Sequence, residues 1–220
     1  MNYKKVLFYA AFFIVVIGVF LCFTFAGTDK WKTKLPVLNT VQPFLFTTQN
    51  ATPFSQDDVK GKVYVTDYFF TTCHGICPHL TQNMKKIYEQ FKNEPDFMIV
   101  SHTCMPEVDS APVLRHYADS IGVDTKKWVF VTGTKIDLYN AARNSYLLDD
   151  KKNAVANIDD QFIHTQFFAL VDKNGNVRSE IFDGLKEEDL EKLKHDIGIL
   201  LKEKQGSDNN FANNIFGNNM

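Results

Sequence analysis

From Val6 to Ala26 the chain reads VLFYAAFFIVVIGVFLCFTFA, a run without a single charged residue. Coiled as a helix at about 1.5 Å per residue, its roughly 21 residues reach across the ~30 Å hydrocarbon layer of a bilayer. Such a segment finds no place in the core of a domain this small, so whatever the remaining chain builds, it builds without it. Lys4 and Lys5 precede the run, which makes a cleaved secretory signal the rival reading. The run exceeds the roughly 7 to 15 apolar residues of such a signal, although Thr24-Phe25-Ala26 would pass as a weak cleavage site. We expect an uncleaved single-span anchor. Cys22 follows the bulky Phe20 and Leu21, where a lipidation signal needs small residues, and is read as a plain apolar side chain. Lys30, Lys32 and Lys34 rival Lys4 and Lys5, so charge counting does not orient the span. A very short tail before a long hydrophilic domain places residues 30 onward on the outer face.

The 24 Lys and Arg nearly balance the 26 Asp and Glu, for a formal net charge of -2. Nucleic acid is excluded as an expected partner, because its phosphates demand a cationic excess. Four cysteines are too few for a disulfide scaffold and enough for one reactive or metal-binding site. The last stretch, QGSDNNFANNIFGNNM, has too little apolar surface to offset the entropy of ordering it. The expected organisation is residues 1–30 as cytoplasmic tip and transmembrane anchor, 31–204 as one domain, and 205–220 as a disordered Asn-rich tail.

Within the domain, Phe44 to Thr48 suggests a short strand or hairpin. VYVTDYFF (63–70), FMIVS (97–101), WVFVT (128–132) and FFALVD (167–172) are dense in β-branched and aromatic residues and read as buried strands. Leu80, Met84, Ile87, Tyr88 and Phe91 lie on one face of a helix. A capped helix is expected from Asp109 to Gly122, another from Ile136 to Leu147, and a polar insertion from about Leu148 to Gln161. Asn174-Gly175 turns the chain into VRSEIF, and Lys186 to Lys204 forms a last amphipathic helix. Alternating strands and helices closed by a hairpin predict an α/β fold with a mixed sheet, parallel in its middle, flanked by helices on both faces. Thioredoxin-like folds have this order.

The segment Phe70-Thr71-Thr72-Cys73-His74-Gly75-Ile76-Cys77-Pro78 joins the first core strand to the first long helix, where open α/β sheets place their sites. Pro78 suits a first helical turn and disfavours helical geometry at Cys77, so the loop is expected to cap the helix. At that positive dipole end both thiols are expected to have lowered pKa values. Three residues separate the cysteines, one more than in a C-x-x-C oxidoreductase. Two soft thiolates suit Cu(I) or Zn, and one added imidazole gives an S2N set that accepts copper as Cu(I) or Cu(II).

The run DYFFTTCHGICPHL, together with PFxxxDVKGKVYV, the Ser101 to Tyr117 segment and IHTQFFALVDKNGNV, resembles the SCO/SenC family of membrane-anchored cytochrome c oxidase assembly factors. The resemblance implies a thioredoxin-like fold and one copper ion held by Cys73, Cys77 and His164. It further implies a cell inner membrane location with the domain on the periplasmic face. The implied partners are the copper-bearing subunit of cytochrome c oxidase and other copper chaperones or thiol reductants. Two features depart from the family pattern. The first acidic position of Ser-x-Asp-Pro-x-x-Asp-x-Pro is lost in Ser101-His102-Thr103-Cys104-Met105-Pro106, and His74-Gly75 inside the motif is unusual.

Other donors compete with His164. His74 and His79 flank the cysteines, and His102, Cys104 and Met105 follow the adjacent strand; the bland reading of the latter group is a loop with a free cysteine and a packing Met. His116 and His195 read as surface residues. Asp67, on the strand below the loop, is either a buried proton acceptor or ligand-orienting group, or a solvent-facing acid. The expected function is a copper metallochaperone. The alternative is a thiol–disulfide oxidoreductase cycling Cys73 and Cys77, which gives His164 no task.

Overall fold

In a computed structural model, residues 3–25, 34–153, 163 and 165–206 are described. The chain forms two units, Met1–Lys34 and Leu35–Met220. The first contains helix α1 (Tyr3–Phe25), within which Tyr3–Leu21 has a mean hydropathy of 2.2, long and apolar enough to cross a membrane. The expected polar insertion lies largely, and the Asn-rich tail from residue 207 onward, outside the described residues.

The second unit is built on β1 (Val37–Thr40), β2 (Leu45–Thr48), β3 (Pro53–Ser55), β4 (Val63–Phe69), β5 (Phe97–Thr103), β6 (Trp128–Thr132), β7 (Phe167–Val171) and β8 (Asn176–Asp183). They join in one sheet of order β1-β8-β7-β4-β5-β6-β2-β3. β4, β5 and β6 are parallel, and β7, β8 and β1 extend the sheet antiparallel on one side. β2 and β3 extend it antiparallel on the other. The expected mixed sheet with a parallel centre is the one observed.

Strand alternation sorts the core into two layers. Val63, Val65 and Phe69 of β4 pack with α3 (Cys77–Phe91), α4 (Ala111–Ile121) and α6 (Glu187–Lys202) on one face. Tyr64 and Tyr68 pack on the other with α2 (Gln56–Val59) and α5 (Lys135–Asn140). The helix expected from Ile136 to Leu147 is not uniform. After α5 the chain widens into a π turn over Ala141–Tyr146, and Leu147 ends it in the left-handed region at φ 59°. α4 ends as expected at Gly122, whose φ of 67° is the left-handed C-terminal position glycine occupies at no steric cost. Its start differs: Ser110 is the N-cap, and the Asp109 carboxylate is used elsewhere.

Arg178, buried in β8, fixes the entry of the chain into the domain. It donates to the Leu35 carbonyl through Nε and Nη2 (3.1 and 2.8 Å) and to Asp172 through Nη1 (2.6 Å).

Candidate functional site

The parallel register aligns Phe69 with Thr103, so β4 and β5 end level and their following loops lie side by side. Cys104 seals this edge: its N–H donates to Phe69 O at 2.9 Å and its thiol to the same oxygen at 3.3 Å. From Phe70 the chain turns back, with Cys73 N donating to Phe70 O, and reaches the first turn of α3. Cys77 is already helical there, with Pro78 second, contrary to the expectation that proline would keep Cys77 out of the helix. The second position of a helix needs no N–H from its residue, and the steric preference of a pre-proline residue yields to the helix.

Asp109 holds the loop. Its carboxylate, wholly buried, accepts from the Thr71 N–H at 3.2 Å, from the Thr71 hydroxyl and from the Thr103 hydroxyl. The residue expected to begin α4 instead ties the cysteine loop to the end of β5. A buried carboxylate with three donors from two strand ends is a far stronger restraint than an exposed cap.

The structure brings Cys73 and Cys77 together, both as free thiols, with Cys73 half-buried and Cys77 buried. Both were expected to be acidic, and only one is. Burial works against the Cys73 thiolate. The neighbouring Cys77 thiol and the N–H groups of Cys77, Gly75 and Ile76 outweigh it and lower the pKa. Cys77 is pushed up to about 12, first by burial and then by its neighbour Cys73. The pair is thus one ready nucleophile and one held proton.

Asp67 is buried and accepts from the Ser101 hydroxyl at 2.5 Å, while Trp128 Nε1 donates to Ser101 Oγ at 2.9 Å. Burial raises the Asp67 carboxyl to about 7, with the Ser101 bond opposing. Its charge acts on Cys77, so the buried form of the Asp67 reading is the one observed.

His102 does not join the cysteines. It stacks on Tyr68 with ring centroids 5.0 Å apart and meets Phe46 edge-on, in the second core layer. Thr66 Oγ1 donates to Val100 O and lies 3.0 Å from His102 Nδ1, which assigns the ring proton to Nδ1. Burial lowers the His102 pKa to about 3, and among the described residues Nε2 has no partner. Alternation along β5 carries this information: Met98, Val100 and His102 share one face, Ser101 the other. Cys104 has its thiol pKa raised by burial. His74, His79, His116 and His195 are exposed. His164 lies outside the described residues, while its neighbours Ile163 and Thr165 line the same recess as Phe70, Cys77 and Cys104. Tyr139 braces that recess, its hydroxyl donating to Cys104 O and accepting from Ile163 N.

Residues 33–198 match the family model SCO1/SenC. The SCO1 protein homolog of Bacillus subtilis is 31% identical over 164 residues, 74% of this chain and 81% of that protein. A solved structure of BsSco, a member of the Sco family of cytochrome c oxidase assembly proteins with an identified disulfide switch, has 28% identity and a TM-score of 0.65. It covers 78% of this chain and 100% of that one. Arabidopsis thaliana ScoI with copper bound shares the fold at 19% identity, with a TM-score of 0.56, over 73% of this chain and 96% of that one. The thioredoxin-like domain, its Cys-x-x-x-Cys loop at the end of a central parallel strand and the extent of these matches lead to one conclusion: this chain belongs to the SCO1/SenC family.

Proposed function

We propose that this protein is a membrane-anchored copper metallochaperone that serves assembly of the copper centre of cytochrome c oxidase, holding its cargo through Cys73, Cys77 and His164. The observation that carries the reading is the pair of free thiols at the start of α3, beside a recess that Cys77 and the neighbours of His164 line together. Two soft donors side by side suit Cu(I), and an imidazole completes a set that also accepts Cu(II). Binding displaces the Cys77 proton, so the metal-free pair is stored half-neutralised rather than as two repelling thiolates. Helix α1 supports the single-span anchor, with residues 1–30 as tip and span and the domain on the periplasmic face of the inner membrane. The partners are then the copper-bearing oxidase subunit and the donors of copper or reducing equivalents.

The test is copper stoichiometry of the detergent-solubilised full chain, reduced and oxidised, with and without His164→Ala. We expect about one copper per reduced chain and none after verified oxidation of the pair, because a disulfide offers no thiolate. His164→Ala should keep Cu(I) on two thiolates and lose Cu(II) with its charge-transfer absorbance. Unchanged Cu(II) spectra in that variant would remove His164 from the ligand set. The oxidoreductase reading predicts instead that His164→Ala changes nothing.

A further inference from the structure

A groove of about 420 Å³ runs from Cys73 and Cys77 between α3 and α4. Its two helices are tied across it, near the middle by Thr81 Oγ1 and Tyr117 OH at 2.8 Å and at the far end by Lys85 Nζ donating to Ile121 O at 2.6 Å. Among the described residues that line it, Lys85 is the one cationic side chain. Among the described residues no carboxylate of this chain pairs with Lys85, and the bond to Ile121 uses one of its three ammonium donors. From Pro78 to Lys85 the groove follows α3 for roughly 10 Å, the length of about three residues of extended chain.

We propose that this groove receives an extended segment of the protein with which the cysteine pair exchanges its cargo, that segment placing a sulfur ligand at Cys73 and an acidic side chain, three residues away, on Lys85. The proposal rests on the exchange function proposed for the pair and adds how the partner is recognised. Three observations select this occupant. The cysteine pair opens into the groove, so a donor or acceptor ligand reaching Cys73 brings its own flanking chain along it. The hydroxyl and amide side chains of Thr81, Gln82 and Ser120 along the walls suit a main chain rather than an apolar ligand. The lone cation at the far end sets the sign of the partner's charge. The net charge of -2 would by itself disfavour an acidic segment, so a preference for one must come from the groove.

The probes are mixed disulfides of 5-thio-2-nitrobenzoate with four peptides, Ac-Cys-Ala-Ala-Glu-NH2, Ac-Glu-Ala-Ala-Cys-NH2 and their lysine counterparts, and with mercaptoethanol. The Cys73 thiolate attacks the peptide sulfur, forming a Cys73–peptide disulfide and expelling thionitrobenzoate, whose absorbance is read. Cys77 gives its proton to water and displaces the peptide thiolate, closing the Cys73–Cys77 disulfide; two electrons pass from the pair to the probe. With the reduced full chain in detergent, one acidic peptide should react about tenfold faster than its lysine counterpart. Lys85→Glu should reverse the preference and Ser120→Trp, which fills the groove, should erase it. The mercaptoethanol probe should react alike with all three proteins. Glutamate and lysine peptides reacting within about twofold of each other, or a preference that survives Lys85→Glu, would overturn the proposal. Lys85→Glu, on a half-buried surface, decides the matter if Ser120→Trp fails to fold. Copper stoichiometry on the same preparation is read separately, so loss of the copper reading and loss of the groove give different results.

Discussion

Thr71 and Asp109, 38 positions apart, are joined twice: the threonine donates both its main-chain N–H and its hydroxyl to one buried carboxylate. Because Thr71 begins the turn that carries Cys73, the conformation of the cysteine loop is set from outside the loop. Replacing the carboxylate by a methyl group leaves the Thr71 N–H and two hydroxyls without their acceptor, one of them the buried Thr103 Oγ1. We expect Asp109→Ala to cost about 3 kcal/mol and Asp109→Asn, which keeps an acceptor, about half that. Urea unfolding of the two variants checks this; an alanine variant within about 0.5 kcal/mol of the parent would show that the loop is held otherwise.

Two buried groups titrate in opposite senses. Asp67, raised to about 7, binds in the folded state a proton that the unfolded chain loses near pH 4, so its contribution is present at low pH and is lost as pH rises through about 7. His102, lowered to about 3, stays neutral where the unfolded chain protonates, so its contribution is present above about pH 6.5 and is lost as pH falls towards 3. Between pH 4 and 6.5 the slopes oppose. The parent should therefore vary little there, Asp67→Asn should lose stability on acidification, and His102→Phe should lose it on raising the pH. Each slope amounts to a few kcal/mol at most across the window. Denaturant melts at pH 4.5, 5.5, 6.5 and 8 read it, and parallel curves for all three proteins would contradict the assignment.

Oxidised glutathione should close the cysteine pair reversibly to a disulfide in the metal-free protein: the acidic Cys73 attacks it and expels one glutathione thiolate, and Cys77 beside it displaces the second. Iodoacetamide at neutral pH should modify Cys73 ahead of Cys77 by at least about tenfold, read by peptide mass spectrometry. Equal labelling would contradict the split between the two thiols.

A chain beginning at Leu35 should be soluble and folded, because all the described strands of the sheet lie in the unit from that residue onward. Far-UV circular dichroism with a cooperative thermal transition checks it. Truncation two residues further, removing Leu35 and Pro36, should destabilise the domain by about 1 to 3 kcal/mol, since Arg178 would lose the carbonyl that takes two of its donors.

The central strands, α3 and the cysteine pair were legible because each announces itself locally: dense β-branched runs, one apolar helical face, two thiols at a strand end. β1 (VLNT), β3 (PFS) and the four-residue α2 carry no such density and exist through their neighbours. The π turn after Asn140 depends on packing rather than on sequence period. The opposite shifts of Cys73 and Cys77 were hidden for the same reason, since identical residue types diverge only once burial differs. Asp109 was noticed as a helix start; its tie to Thr71 needs the adjacency of β4 and β5, which no short segment encodes.

The chain enters the domain on β1, at one edge of the sheet, whereas the cysteine loop leaves β4, with β8 and β7 between. Three strand spacings amount to about 14 Å. Tension on the residues before Leu35 therefore falls first on Arg178 and its buried partner Asp172. The fold insulates the site from the segment that leads into it: a pull applied at that end spends itself on the edge of the sheet before it reaches the sulfurs.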